Sequence, residues 1–136
     1  MKDWLRPTLS IALLRILMGL VFISHAVIRL VEYTLPGFGE FLGSKGFPAG
    51  FYLAWTVTLF ELLGGLLMVM RRLVKFFCIG EIIILLTGIV IVHSPNGWFV
   101  VGKTLGGAEY SVVLIAVLAS ICLAEISEER NIRPVL

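Results

Sequence analysis

Six ionisable side chains lie within or at the ends of long apolar stretches of this sequence: Arg15, His25, Glu61, Glu81, His93 and Glu109. A titratable group is costly inside a hydrocarbon core, and where one occurs it usually faces the protein interior and marks a ligand site, an ion site or a proton path. Imidazole and carboxyl groups can hydrogen-bond a quinone carbonyl, bind a metal or move protons. We therefore treat these six residues as the candidate functional set.

Three of them lie at one level, near the outer ends of three different apolar segments. Counted along each helix from its predicted cytoplasmic end, His25 lies about 24 Å in, Glu109 about 22 Å and His93 about 30 Å. Side chains at one level on separate helices can converge, so we predict a polar site formed by these three. It could hydrogen-bond a quinone, pass protons or hold a metal.

Metal is the weakest of these three possibilities, and we predict no metal site. No two of the residues are spaced i, i+4 on one helix, and no second carboxylate is close. Each residue also has a simpler interpretation: Glu109 can complement the N-terminal dipole of its helix, and His93 can cap a helix end. Glu109 shares a helical face with Ala116 and Ser120, and this small, polar stripe predicts a face that points inward.

Arg15, Glu61 and Glu81 form a second level, about 9 to 13 Å from the cytoplasmic helix ends. An arginine in lipid needs a carboxylate, because it does not neutralise by losing a proton. Glu61 is the predicted partner, since the Gly64–Gly65 pair on its face lets another helix approach closely. Gly19 follows Arg15 in the same way. Such a pair can line the inner end of a ligand cavity, or it can fix helix register without chemistry.

Glu81 is then a surplus carboxyl, which should keep its proton. It is a candidate proton relay, and a structural hydrogen bond to a neighbouring helix is the alternative.

The segments that position these residues are too apolar for a soluble protein. Hydrophobic residues make up 59% of the 136 and charged residues 15%, whereas soluble domains have about 25% charged residues. A helix crosses a hydrocarbon core with about 20 apolar residues, and four segments reach that length: 9–28, 51–70, 73–92 and 105–124. The runs are unbroken rather than alternating, which excludes a β-barrel. We predict an all-α, integral membrane four-helix bundle that forms a single domain over residues 1–136.

Charge predicts the orientation. Cytoplasmic connections are enriched in Lys and Arg, and with four spans both termini share a side with the connection between spans two and three. That side has seven positive residues, Lys2, Arg6, Arg71, Arg72, Lys75, Arg130 and Arg133, and the other side has three, Arg29, Lys45 and Lys103. We predict a multi-pass protein of the cell membrane with both termini in the cytoplasm. The net charge of +2 then indicates anchoring to anionic lipid, not nucleic-acid binding.

Two outer connections remain. Residues 30–50 are predicted to break at Pro36–Gly37 and then to form a short interfacial or re-entrant helix, with an aromatic-rich loop as the alternative. In the other connection, Asn96–Gly97 is a strong turn signal, and Trp98 suits the membrane interface.

The two cysteines, Cys78 and Cys122, form neither a CxxC nor a metal-binding pattern. Their positions inside spans favour buried packing residues. Two separated cysteines also leave no ligand set for haem, flavin or an iron–sulfur cluster, so we expect none of these.

The sequence resembles the DoxX family of small four-helix membrane proteins over nearly its whole length. The resemblance rests on four segments: "LLRILMGLVFISHAV", "ELLGGLLMVM", "VHSPNGWF" and "GGAEYSVVLI". The matching positions are Arg15, His25, Glu61, Gly64, Gly65, His93, Asn96, Gly97, Gly106, Gly107, Glu109 and Tyr110. Glu81 lies outside this pattern, and Arg29 stands where a lysine is common.

The resemblance implies an association with the membrane subunit of thiosulfate:quinone oxidoreductase, or with membrane assemblies that respond to thiol and oxidative stress. It does not by itself imply that the chain is an enzyme, because many members have no assigned activity. Electrons would have to come from a redox partner protein or from a diffusible thiol or sulfur substrate.

These observations predict a quinone-associated redox subunit with a polar site inside the membrane. The candidate catalytic residues are His25, His93 and Glu109, and the candidate quinone-contacting residues are Arg15, Glu61, Trp98 and Tyr110. The expected partners are the lipid bilayer, a quinone, a redox protein and further copies of the chain, without nucleic acid. The alternative is a non-catalytic membrane scaffold or small-solute carrier whose buried charges fix helix register.

Overall fold

The computed structural model describes residues 9–101 and 106–132, which contain helices and turns and no strand. The helices are α1 (Leu9–Val31), α2 (Leu35–Ser44), α3 (Gly50–Val69), α4 (Val74–Gly88) and α5 (Glu109–Ile132). Four of them are long and apolar enough to cross a membrane: α1, α3, α5, and α4 with its continuation to Asn96. The predicted all-α membrane fold with four spans is confirmed.

Two details of the prediction fall outside the described residues. The fourth span was predicted to begin at residue 105, and α5 begins at Glu109. The charge count that predicts orientation includes Lys2, Arg6, Lys103 and Arg133, which also lie outside.

The backbone divides into two compact units. One unit, called here the α2–α3 unit, comprises Met18–Arg72. The other, the α4–α5 unit, contains residues 9–17, 73–101 and 106–132 of the described chain. Helix α1 therefore contributes to both units, and the single domain over residues 1–136 stays a prediction.

The short helix predicted between the first two spans is present as α2, but its start was predicted wrongly. Pro36 lies in the first turn of α2, where its missing N–H costs no hydrogen bond and its fixed φ suits the helix. The chain breaks earlier, at Tyr33, which has a left-handed φ of 54°. The next amide, Thr34 N–H, donates to the Arg29 carbonyl at 3.1 Å and so closes the end of α1.

Helix α2 rests directly on the beginning of α3. Its buried residues are Leu35, Gly39 and Leu42, which are spaced to form one face. A Cβ on Gly39 would lie 2.8 Å from the Phe51 Cα, and a Cβ on Gly50 would overlap the Gly39 carbonyl. The two backbones are therefore in contact, because glycine occupies both sides of the crossing.

Helices α1 and α3 also touch through glycines. A Cβ on Gly19 would lie 2.6 Å from the Gly65 carbonyl oxygen, and a Cβ on Gly65 would lie 2.5 Å from that of Gly19. Ile23 meets Gly65 and Val69 meets Gly19, which is the pattern of an antiparallel pair. The close approach predicted from the glycines near Glu61 is confirmed.

In the α4–α5 unit, the inward face of α5 is formed by Ser111, Leu114, Leu118, Ile121 and Cys122. Ala116 and Ser120 are exposed, so the prediction that their stripe points inward is wrong. The Ser120 hydroxyl donates to the Ala116 carbonyl at 2.8 Å, which satisfies it within its own helix. The larger aliphatic side chains gain more packing contacts inside than these small residues would.

Both cysteines are packing residues, as predicted. Cys78 and Cys122 are free and buried, on the facing helices α4 and α5.

Candidate functional site

Arg29 and Glu61 form a buried, two-pronged ion pair between α1 and α3. The Arg29 Nη2 donates to Glu61 Oε1 at 3.1 Å, and Nη1 donates to Oε2 and, at 3.3 Å, to the Thr58 hydroxyl. The Glu61 side chain is only 4% exposed and that of Arg29 is 21% exposed, and Thr58 is fully buried. The fork of the guanidinium matches both carboxylate oxygens, which is the strongest geometry for such a pair.

The helix register explains why these two residues meet. From the contact between Gly19 and Gly65, Arg29 is about 15 Å further along α1, and Glu61 is about 6 Å back along the antiparallel α3. Side chains on a helix tilt towards its N-terminus. In an antiparallel pair they therefore lean towards each other, and this closes the remaining gap of about 9 Å.

The predicted partner of Glu61, Arg15, is wrong: the residue that pairs with Glu61 is Arg29. The depths were estimated as if the cytoplasmic ends of all helices lay at one level. The register of α1 and α3 is instead set by the contact between Gly19 and Gly65. Arg15 and Glu81 are both buried in the α4–α5 unit, and neither lacks an interaction partner. The proton-relay role of Glu81 stays a prediction.

His25 lies one helical turn before Arg29 on the same face of α1. It is half-buried and lies within electrostatic range of both Glu61 and Arg29. We call His25, Arg29, Thr58 and Glu61 the Arg29 cluster. A neutral imidazole offers one N–H donor and one acceptor nitrogen to a ligand.

Phe38 of α2 covers the Arg29 cluster from a third helix. The Arg29 guanidinium carbon lies 4.9 Å from the centroid of the Phe38 ring, which is the geometry of a cation–π contact. One side chain thus joins three helices. The available sequence signal was the four-residue spacing of His25 and Arg29, which places both on one face.

His93 lies at the end of a π-helical turn, Ile89–His93, that continues α4; such turns are frequent at functional sites. The His93 Nδ1 lies 2.5 Å from the Gly106 carbonyl oxygen. A carbonyl only accepts, so Nδ1 carries the proton and donates. In the neutral ring this leaves Nε2 with a lone pair for another group.

Glu109 is the first residue of α5. This is the position at which a carboxylate can complement the N-terminal dipole of the helix, as predicted. Its Oε1 accepts the Val100 N–H at 3.1 Å, and its own N–H donates to the Trp98 carbonyl at 3.0 Å. Together with His93, it fastens the described parts of the α4–α5 loop.

Glycines shape the same loop. Gly97 has φ 81°, which confirms the turn predicted at Asn96–Gly97. A Cβ on Gly107 would overlap the Phe99 carbonyl oxygen, so only glycine fits there. Trp98 and Tyr110 are 53% and 49% exposed, so their rings are accessible to a ligand or to lipid.

His93 and Glu109 are thus brought to one loop in the α4–α5 unit, while His25 belongs to the Arg29 cluster in the α2–α3 unit. The convergence of all three stays a prediction. Among the described residues, no group of three or more His, Cys, Asp or Glu side chains is placed to hold a metal ion.

Comparison with protein families gives one match, in which the DoxX model covers residues 10–94. The chain belongs to the DoxX family. No curated protein and no solved structure matched it.

The DoxX match runs from α1 to just beyond His93 and so includes the entire Arg29 cluster. Glu109 and Tyr110 lie beyond the matched region. Their likeness to DoxX proteins rests on the "GGAEY" segment alone.

Proposed function

We propose that this DoxX protein is a quinone-associated redox subunit of a membrane complex, and that a quinone headgroup binds at the Arg29 cluster. The observation that supports this most directly is the half-buried His25 beside the Arg29–Glu61 pair. The association of the DoxX family with quinone-dependent oxidoreductases supports the same proposal.

The chemistry of the cluster fits a quinone. An imidazole N–H can donate to a quinone carbonyl, and His25 can pass or take a proton there. Arg29 keeps the Glu61 carboxylate oriented through its two hydrogen bonds. Phe38, whose ring lies against the Arg29 guanidinium, supplies apolar surface for a flat ring.

A bound quinone would supply the acceptor for two electrons and two protons. Within this proposal, the chain contributes binding, orientation and proton transfer. The electrons come from a redox partner protein, or from a thiol or sulfur substrate.

A second polar contact for quinone, within the α4–α5 unit and separate from the Arg29 cluster, is formed by His93 and Glu109. In the neutral His93 ring, Nε2 is the acceptor nitrogen, since Nδ1 donates to Gly106. Trp98 and Tyr110 flank the loop. With both termini in the cytoplasm of a cell-membrane protein, α2 and this loop lie on the outer side, and the quinone enters from the outer leaflet.

Tryptophan fluorescence tests the proposal. A short-chain quinone titrated into the purified protein should quench the emission of Trp55, which lies on α3 one turn before Thr58, in a saturable manner. The Trp55→Phe variant should lose that component. A flat response at saturating quinone would contradict the proposal.

A non-catalytic scaffold or small-solute carrier is the second candidate. It is favoured by the antiparallel contact at Gly19 and Gly65, which the Arg29–Glu61 pair locks in register. This candidate predicts that His25→Ala and His93→Ala leave tolerance of thiol and oxidative stress unchanged, while Glu61→Ala prevents assembly. Histidine variants that fold but lose tolerance would exclude it.

A further inference from the structure

We propose that the Arg29 cluster selects quinones that carry an oxygen substituent next to a carbonyl, and that Arg29 recognises this pair of oxygens. The inference rests on the proposed function, because it names the class of quinone that the same site takes. Its experiment compares two quinones, so the selectivity can fail while quinone binding stands.

The hydrogen-bond donors of Arg29 are only partly used within the protein. A guanidinium has five N–H groups in one rigid plane. Three of them are engaged: the two of Nη1 donate to Glu61 Oε2 and to the Thr58 hydroxyl, and one of Nη2 donates to Glu61 Oε1. Within residues 9–101 and 106–132, no acceptor meets the remaining two, which are Nε–H and the second N–H of Nη2.

These two remaining donors lie on one edge of the guanidinium and point in the same direction. Such a fork matches two acceptor oxygens that lie side by side. Glu61 and Thr58 are buried, whereas the Arg29 side chain keeps 21% of its surface exposed, so its two protein partners do not cover it. A ligand with one isolated carbonyl would satisfy one donor, and the other would lose its water without a replacement.

The charges of the cluster favour a neutral ligand on this edge. Arg29 is already paired with the Glu61 carboxylate, so a neutral His25 leaves the cluster without net charge. A carboxylate or a phosphate would match the fork in shape, but it would place a second negative charge near a carboxylate that is only 4% exposed. Like charges repel most strongly where little water separates them. A quinone with a methoxy or hydroxyl group beside its carbonyl offers the same pair of oxygens without that charge.

The neighbours of Arg29 are compatible with a ring held in this way. The guanidinium carbon lies over the Phe38 ring at 4.9 Å. A phenyl ring accepts no conventional hydrogen bond, so it excludes water on its side of the guanidinium without occupying either remaining donor, and hydrogen bonds strengthen where water is excluded. His25 lies one helical turn before Arg29 on the same face of α1, where its N–H can meet another oxygen of the same quinone.

The experiment compares two benzoquinones of similar size by equilibrium dialysis against the purified protein in detergent micelles, with partitioning into empty micelles subtracted. One is tetramethyl-benzoquinone, and in the other two neighbouring methyl groups are replaced by methoxy groups. Both rings are fully substituted, which prevents addition to the free thiols of Cys78 and Cys122. The methoxy compound should bind about tenfold more tightly, which corresponds to about 1.4 kcal/mol.

The Arg29→Lys variant tests whether the fork is responsible. Lysine keeps the positive charge but has no planar pair of donors, so the variant should lose most of the preference for the methoxy compound. The comparison of the two quinones on the wild-type protein stands by itself, whether or not the lysine variant folds.

Lys45→Met is the matched control. Lys45 is also a cation over a phenylalanine of α2, since its Nζ lies 5.5 Å from the centroid of Phe41, but it is exposed and outside the Arg29 cluster. Its replacement should leave the tenfold preference unchanged. Sodium benzoate, which presents two neighbouring oxygens together with a negative charge, should displace the methoxy compound only at much higher concentration.

The outcomes separate the two proposals. Equal affinity of the wild type for the two quinones, an unchanged preference in a folded Arg29→Lys variant, or displacement by equimolar benzoate would each overturn the selectivity while quinone binding stands. Saturable binding of neither quinone would overturn the proposed function and the selectivity with it.

Discussion

Arg29, near the end of α1, holds both carboxylate oxygens of Glu61 in the middle of α3, and the Glu61 side chain is only 4% exposed. Two charges withdrawn from water are stable only while they remain paired and hydrogen-bonded. The ion pair therefore links the register of α1 and α3 to the environment of His25.

Breaking this pair should destabilise the protein strongly. Arg29→Met leaves the buried Glu61 carboxylate alone, and we expect it to cost about 3 kcal/mol or more. Glu61→Leu leaves the partly buried Arg29 alone and should also be destabilising. The double variant removes both charges and should recover most of that loss. The stability of all three variants is measured by thermal unfolding in detergent, with the fraction of monodisperse protein as the readout. Additive losses in the double variant would contradict the pairing.

The ion pair between Lys75 and Glu129 is the matched control. Its atoms lie 2.6 Å apart, but its side chains are 39% and 60% exposed. Lys75→Met should cost less than about 1 kcal/mol, because water already solvates both groups.

The glycine contact gives a second prediction. Gly65→Ala would place a methyl group 2.5 Å from the Gly19 carbonyl oxygen, and we expect it to cost about 1–3 kcal/mol because the helices must separate. Gly88→Ala meets nothing within 4 Å and should be neutral or slightly stabilising, since alanine favours a helix by roughly 1 kcal/mol. Equal melting temperatures for the two variants would refute the close crossing.

The side chain of Glu109 should control the stability of the α4–α5 loop. Glu109→Ala removes the acceptor of the Val100 N–H, so that amide should exchange hydrogen about tenfold faster, for a lost bond of about 1.4 kcal/mol. Glu109→Gln retains an acceptor oxygen and should stay close to the wild type. Hydrogen exchange with peptide-level mass spectrometry measures both.

Tyr110→Phe is the control for this loop, because Tyr110 is adjacent and 49% exposed. It should not change exchange at Val100. Slow exchange in Glu109→Ala would show that the loop does not depend on the carboxylate.

The sequence was sufficient to predict the helices and the glycine contact, because both depend on residue patterns within short segments. Apolar runs of membrane length give the spans, and the Gly64–Gly65 pair beside Glu61 identifies a close crossing from spacing alone. The turn at Gly97 was predicted from residue type in the same way, because glycine readily adopts the positive φ found there.

The partner of Glu61 could not be obtained in this way. Which cation reaches a carboxylate depends on the register of two helices, and Arg15 and Arg29 lie about four turns apart on α1. Similarly, the inward face of α5 was predicted from the small residues Ala116 and Ser120, while the packing selects larger aliphatic residues. Register and packing are properties of pairs of helices, and the composition of one helix does not determine them.

The loop shows the same limit. His93 and Glu109 were singled out correctly as polar residues at two span ends, but their hydrogen bonds go to backbone groups of Gly106 and Val100. Backbone partners carry no signal in the residue types. These direct contacts support the interpretation of His93 and Glu109 as residues that stabilise the loop. Their role towards a quinone stays a proposal.

The central claim is that a quinone headgroup meets His25 in the Arg29 cluster, and equilibrium binding of a short-chain quinone to the purified protein tests it most directly. We expect saturable binding that weakens about tenfold or more in His25→Ala, for one lost hydrogen bond of about 1.4 kcal/mol. Ser24→Ala should bind like the wild type, because Ser24 is exposed and its hydroxyl donates to the Val21 carbonyl at 2.7 Å. Equal affinity of His25→Ala and the wild type, or no saturable binding in either, would contradict the claim.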